Sequence, residues 1–205
     1  MAALDWLGNS WYQMALYMRT GGPVMWPLAA VSLLMWLLII ERALFLRRLY
    51  RRPMSFHEAW EHVRDGRIPA AEKDGGAVAL LLARFIPVRS GNPRLDRSIL
   101  DETVMRLNHG FRNHLDAIGV LAAIAPLLGL LGTVTGMMAT FDVLAVFGTG
   151  NARAMAGGIS EALITTETGL LVAIPGLYMK GFLDRRTGNL ARRITAAGLY
   201  LHRRL

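Results

Sequence analysis

The stretch "GGISEALITTETGLLVAIPG", Gly157 to Gly176, decides how the chain is read. It is apolar and long enough to lie in a membrane, yet it carries Glu161, Glu167 and the threonines Thr165, Thr166 and Thr168. A charge at mid-bilayer costs about 2.5–3.5 kcal/mol on insertion scales, so such groups turn toward a partner or a water-filled cavity. Glu161, Thr165, Thr168 and Val172 share one helical face, whereas Thr166 and Glu167 point elsewhere. Glu161 lies near one end of the run and Glu167 lies deeper. Two readings are open for this set: an ion pathway, or hydrogen bonding between helices.

Two uncharged runs lie upstream. Met25 to Ile40 is closed by Glu41 and Arg42, and Ala117 to Phe141 lies between Asp116 and Asp142. With Gly157 to Met179 they make three candidate spans, each near the ~20 residues a membrane helix needs. The composition agrees: 53% of the 205 residues are hydrophobic, against about 45–50% in ordinary soluble domains even with glycine counted.

The net charge is +8, and its distribution predicts an orientation. Fourteen Lys/Arg lie between the first two spans and seven follow the third, while the N-terminal segment holds only Arg19 and the short second connector only Arg153. Basic flanks stay in the cytoplasm. The expected layout is therefore an outer amphipathic helix over 1–22, spans over 23–41, 115–147 and 157–179, an outer loop over 148–156, and cytoplasmic helical parts over 42–114 and 180–205. The arginines fall between apolar runs rather than beside stacking aromatics, so nucleic-acid binding is not expected. The first residues lack a basic n-region and carry Asp5, so no cleavable signal is expected. Leu4, Leu7, Trp11, Met14 and Met18 recur at helical spacing, which suits a helix at the membrane surface or one packed on its own protein.

Catalytic signatures are missing: no lysine follows the glycines as in a P-loop, and neither HExxH nor GxSxG occurs. There is no cysteine, which removes disulfides and thiolate metal sites. His57/His62 and His109/His114 are each spaced by five, which does not put two ligands on one helical face, and these histidines read as surface residues. Neither an enzyme, a metal nor a cofactor is expected.

Outside the spans the pattern is helical. Ser55 with Glu58 has capping-box spacing, Trp60 and Val63 follow on one face, and Gly66 can end that helix. "GNPRL" at 91–95 punctuates the chain. Leu100, Val104, Leu107, Phe111, Leu115 and Ile118 then keep a helical period into the second span; if unbroken from Pro93 to Phe147, that helix would be roughly 80 Å long at 1.5 Å per residue. Leu183, Leu190, Ile194, Ala197 and Leu201 form a second core stripe in the tail. In the second span Ala122, Ala125, Gly129, Gly132, Gly136 and Thr140 fall on one face with Thr133 at its margin. Small residues let backbones approach closely in lipid, and this face is expected to be a subunit contact.

"ER" at Glu41 and Arg42, "IAPLLGLLGTVTGM" at 124–137 and "GGISEALITTETGLLVAIPG" together resemble the MotA/TolQ/ExbB proton-channel family, and among its branches are most similar to ExbB. The resemblance covers the three-span layout and all of Leu115 to Gly176. It implies an all-α protein of the bacterial inner membrane, with two of its three transmembrane helices extending far into the cytoplasm as a helical bundle. It implies a homo-oligomer, most simply a pentamer, around an ExbD-like subunit, using the proton-motive force to drive a TonB-like protein; a TolQ-type role in the Tol-Pal envelope system is the alternative. A non-conducting membrane scaffold is the rival from another class. The family's functional positions match Thr133, Glu161 and Thr166, while many relatives carry a small apolar residue where this chain has Glu167.

Overall fold

The computed structural model describes residues 12–50, 54–69, 76–148 and 151–205, and among them all regular structure is helical. The helices are α1 (Met25–Tyr50), α2 (Phe56–Asp65), α3 (Ala77–Phe85), α4 (Pro93–Arg112), α5 (Leu115–Phe147) and α6 (Ala152–His202), with a 3-10 turn at Ile86–Val88. Residues 12–20 are also helical. Leu4, Leu7 and Trp11 of the expected N-terminal stripe lie outside the described residues. Three stretches, Met25–Tyr50, Pro93–Phe147 and Ala152–His202, are long and apolar enough to cross a membrane. The chain is an all-α membrane protein.

It divides into two compact units, Met1–Leu38 with Ala117–Met179, and Ile39–Asp116 with Lys180–Leu205. In the first, the large apolar side chains point outward: Leu33 and Leu37 on α1, Leu127 and Leu130 on α5, Leu171 and Ile174 on α6. The interior is built instead from small residues, Ala122, Ala125, Ala162, Thr165 and Ala173, with Leu28 and Met35. This inversion follows from the solvent. Lipid is as apolar as leucine, so helices are held together by close approach rather than by removing leucine from water.

The second unit has the ordinary arrangement of a water-exposed bundle. Leu100, Val104, Leu107 and Phe111 of α4 are buried with Leu183, Leu190, Ile194, Ala197 and Leu201 of α6. Ser55 and Glu58 form the capping box that starts α2, and Gly66 ends it at φ 64°. Asn92 caps α4 through its side chain, with Pro93 in the first turn. The carboxylate of Asp96 is buried here, only 1% exposed. It accepts from Arg89 Nε at 2.8 Å, from the Ser90 backbone N–H at 2.7 Å and from the Ser90 hydroxyl at 3.0 Å. Arg89 also donates to the Val63 carbonyl at 2.8 Å, which ties the turn before α4 to α2.

The helical period that runs from Pro93 to Phe147 is not one unbroken helix. α4 ends at Arg112, Asn113 leaves helical geometry with ψ 142°, and His114 takes φ 67°. A positive φ is unfavourable for a residue with a side chain, and the apolar period that runs through the break carries no sign of it. Two side chains of α1 hold the break. The guanidinium of Arg42, 4% exposed, donates to the carbonyls of Gly110, at 3.0 Å, and Phe111, in the last turn of α4. Carbonyls in that turn lack the full set of intrahelical donors. Glu41 meets His114 Nδ1 at 3.2 Å, so this histidine is half-exposed but partnered.

Burial alone would raise the Asp96 carboxyl, but the bonds from Arg89 and Ser90 outweigh it and hold the group below its ordinary value. The unfolded chain therefore binds this proton at higher pH than the folded one. The contribution is present above the ordinary carboxylate range and fades as pH falls through the folded value. Asp96→Asn is expected to cost about 1–3 kcal/mol at neutral pH. Thermal unfolding in detergent should show a lowered Tm at pH 7 and a narrowing gap from the parent as the medium is acidified.

Candidate functional site

The third span carries its own small-residue face. Gly158, Ala162, Thr165, Gly169, Ala173 and Gly176 recur every three or four residues and all are buried. They pack on the glycine face of α5. A methyl group at Gly129 would lie 3.0 Å from the Thr165 carbonyl oxygen, and one at Gly136 would lie 2.7 Å from the Gly158 carbonyl oxygen and 2.8 Å from the Ala162 nitrogen. One at Gly132 would collide with the Thr165 side chain, which fills the space left by the missing Cβ. From the other side, a methyl at Gly169 would come within 2.8 Å of the Ala125 carbonyl oxygen. The face of Gly129, Gly132 and Gly136 is therefore occupied by α6 of the same chain, and the expected subunit contact there is corrected to an intrachain one.

This closeness decides where the hydroxyls go. Thr166 Oγ1 reaches the Gly129 carbonyl across the helix pair at 3.2 Å, and the Ala162 carbonyl of its own helix at 3.2 Å. Thr165, fully buried, donates within α6 to the carbonyls of Glu161 or Ala162, each at 3.0 Å. Thr133 donates to the Leu130 carbonyl at 2.6 Å and borders an open apolar groove of about 340 Å³ with Val134, Met137, Met138 and Phe141. Hydroxyls in membrane helices commonly return to their own backbone in this way; each oxygen keeps lone-pair capacity for a further donor.

Glu161 is half-buried. Its carboxyl rests against Gly22, which lies at φ 70° in the turn between residues 12–20 and α1. Thr168 donates to the Ile164 carbonyl at 2.7 Å and its oxygen lies 2.9 Å from the Tyr17 hydroxyl. Glu167 is exposed, on a face whose other members, Leu163, Leu170, Leu171 and Ile174, are exposed as well. The structure thus brings Thr165 and Thr166 to the α5 glycines and Glu161 and Thr168 to the N-terminal segment. Thr133 stands at the groove on α5, and Glu167 looks outward.

Sequence reasoning missed Tyr17 and Gly22, which are distant in the chain from the residues they touch. It also passed over the α6 small face, although the spacing of Gly158, Ala162, Thr165, Gly169 and Ala173 held that signal. Among the described residues no group of three histidine or carboxylate side chains could hold a metal ion.

These features define a multi-span α-helical membrane protein with polar and titratable groups set inside its spans. The chain belongs to the MotA/TolQ/ExbB proton channel family, which matches residues 73–196. It is 35% identical to an ExbB-like biopolymer transport protein of Synechocystis over 78% of this chain and 66% of that protein. It is 29% identical to the biopolymer transport protein ExbB of Neisseria gonorrhoeae over 93% of this chain and 96% of the relative. The Tol-Pal system protein TolQ of Haemophilus influenzae is 26% identical over 78% of this chain and 77% of its own length.

Gly132→Leu forces α5 and α6 apart, so it should reduce the folded protein recovered in detergent and lower its Tm even where the chain is monomeric. Thr166→Val removes one interhelical bond and should cost only about 0.6–1.7 kcal/mol. A leucine at 132 that left the monomer's Tm unchanged would show that the two helices do not need this approach.

Proposed function

We propose that the chain is the ExbB-type subunit of a proton-driven motor, seated in the bacterial inner membrane with an ExbD-like partner and energising a TonB-like protein for transport across the outer membrane. The observation that carries this reading is the match over 73–196 to the proton channel family, together with the polar set of α6 on its small-residue face. Glu161 is the titratable member at the inner surface of the first unit, and Thr133 and Thr166 offer hydroxyls that donate and accept, as proton transfer along a relay requires. Thr165 and Thr168 support the helix on either side, and Glu167 is a second carboxyl available to a neighbouring subunit. The family resemblance implies a homo-oligomer, most simply a pentamer, and the arginine asymmetry favours an outer N-terminus with a cytoplasmic C-terminus. A TolQ-type role is the second reading, favoured by the similarity to the Haemophilus protein.

Three kinds of measurement test this. Partner-dependent proton flux into liposomes should be lost in Glu161→Gln while assembly with the partner persists. Glu167→Gln keeps size and hydrogen bonding, and a flux near the parent value would make that carboxyl structural. Full flux in Glu161→Gln would refute the relay, and growth on TonB-dependent nutrients against envelope integrity separates the ExbB from the TolQ role. For topology, the chain has no cysteine of its own, so a cysteine placed at Asn151 should react with an impermeant external reagent and one at Ser90 should not.

A further inference from the structure

The contacts of the N-terminal segment fall in register on α6. Gly22 meets Glu161, and Tyr17 meets Thr168. Between them a methyl group at Gly21 would lie 3.2 Å from Ile164 Cγ2. Positions 161, 164 and 168 are one helical face, so a single short segment covers consecutive turns of the helix that carries the polar set. At Gly22 the match is tight. Any Cβ there would overlap the Glu161 carboxyl, and φ 70° is a region that glycine enters freely and other residues rarely do. The carboxyl lies on bare backbone, and that backbone is set by the turn "TGGP" at 20–23.

We propose that the N-terminal segment is a positioning element for the polar face of the third span, with Gly22 setting where the Glu161 carboxyl lies and Tyr17 orienting the Thr168 hydroxyl. The proposal rests on the reading of Glu161 as a relay group. Gly22 and Tyr17 exchange no proton themselves. They restrict the rotamers open to the groups beneath them, as the supporting shell of any transfer site must. A half-buried carboxyl on a lone helix would sweep several rotamers; with the turn seated on it, the oxygens are confined. The Tyr17 hydroxyl also gives the Thr168 oxygen a second partner besides the Ile164 carbonyl.

The test is a pair of double-mutant cycles, read as partner-dependent proton flux in liposomes loaded with the assembled complex. In the first, Gly22→Asn is combined with Glu161→Asp. Asparagine tolerates the left-handed conformation, so the turn is kept while a side chain intrudes on the carboxyl; aspartate withdraws that carboxyl by one methylene. Gly22→Asn is expected to lower flux roughly tenfold in the parent and less than about threefold in the Glu161→Asp background, a coupling that independent sites do not show. In the second, Tyr17→Phe is combined with Thr168→Val, and each substitution should lose its effect in the presence of the other. This cycle stands by itself if Gly22→Asn fails to assemble. Losses that simply multiply in every cycle whose variants assemble would overturn the proposal. A complex whose flux is unchanged by Glu161→Gln would instead overturn the relay on which it rests.

Discussion

The backbone contact between α5 and α6 is the constraint from which the rest of the membrane-facing unit follows. A methyl group at Gly129, Gly136 or Gly169 would come within about 3 Å of the facing helix's backbone, a separation only glycine allows. Hydrophobic burial does not supply the attraction at this contact, because Leu127, Leu130 and Leu131 of α5 and Leu163, Leu170 and Leu171 of α6 remain outside. What holds the pair is dispersion at short range and a polar contact, Thr166 to Gly129, that is possible only at that range. The same proximity fixes the threonines. With α5 so near, Thr165 has no room except in the gap at Gly132 and no acceptor except its own helix.

The second unit solves a different problem. Its helices are bounded by signals of water-exposed chains, a capping box at Ser55 and Glu58 and a side-chain cap at Asn92. Its core is of ordinary size, with Phe85, Phe111, Leu100 and Leu183 fully buried. A buried carboxylate is tolerated because Asp96 receives three donors within 3.0 Å. One chain therefore uses two packing chemistries, small residues at contact where lipid is the solvent and large apolar side chains where water is.

Much of this was legible because it is local. Two uncharged runs and a third apolar run carrying Glu161 and Glu167 gave the spans, the Ser55–Glu58 spacing gave a helix start, and the periods at Leu100–Phe111 and Leu183–Leu201 gave buried stripes. The interrupted helix was not legible. The period continues through Asn113 and His114, and what makes the break tolerable is Arg42 and Glu41, some seventy residues earlier in the chain. The glycine face was visible but its occupant was not, since a small-residue stripe accepts any helix that can come close. The candidate site divides along the same line. Glu161, Thr165 and Thr166 stand out as polar residues in an apolar run, whereas Tyr17 and Gly22 matter only through where the N-terminal turn comes to rest.

Glu167 has a thermodynamic consequence for the single chain. It is exposed among Leu163, Leu170, Leu171 and Ile174, a surface suited to hydrocarbon. A lone copy in a bilayer with that carboxylate ionised bears a cost of about 2.5–3.5 kcal/mol, which is roughly a hundredfold bias against that state. Any neighbour that offers the group a donor or a water-lined surface recovers the difference. A solitary copy and one associated through this face would therefore differ by the solvation of one carboxyl group rather than by apolar area.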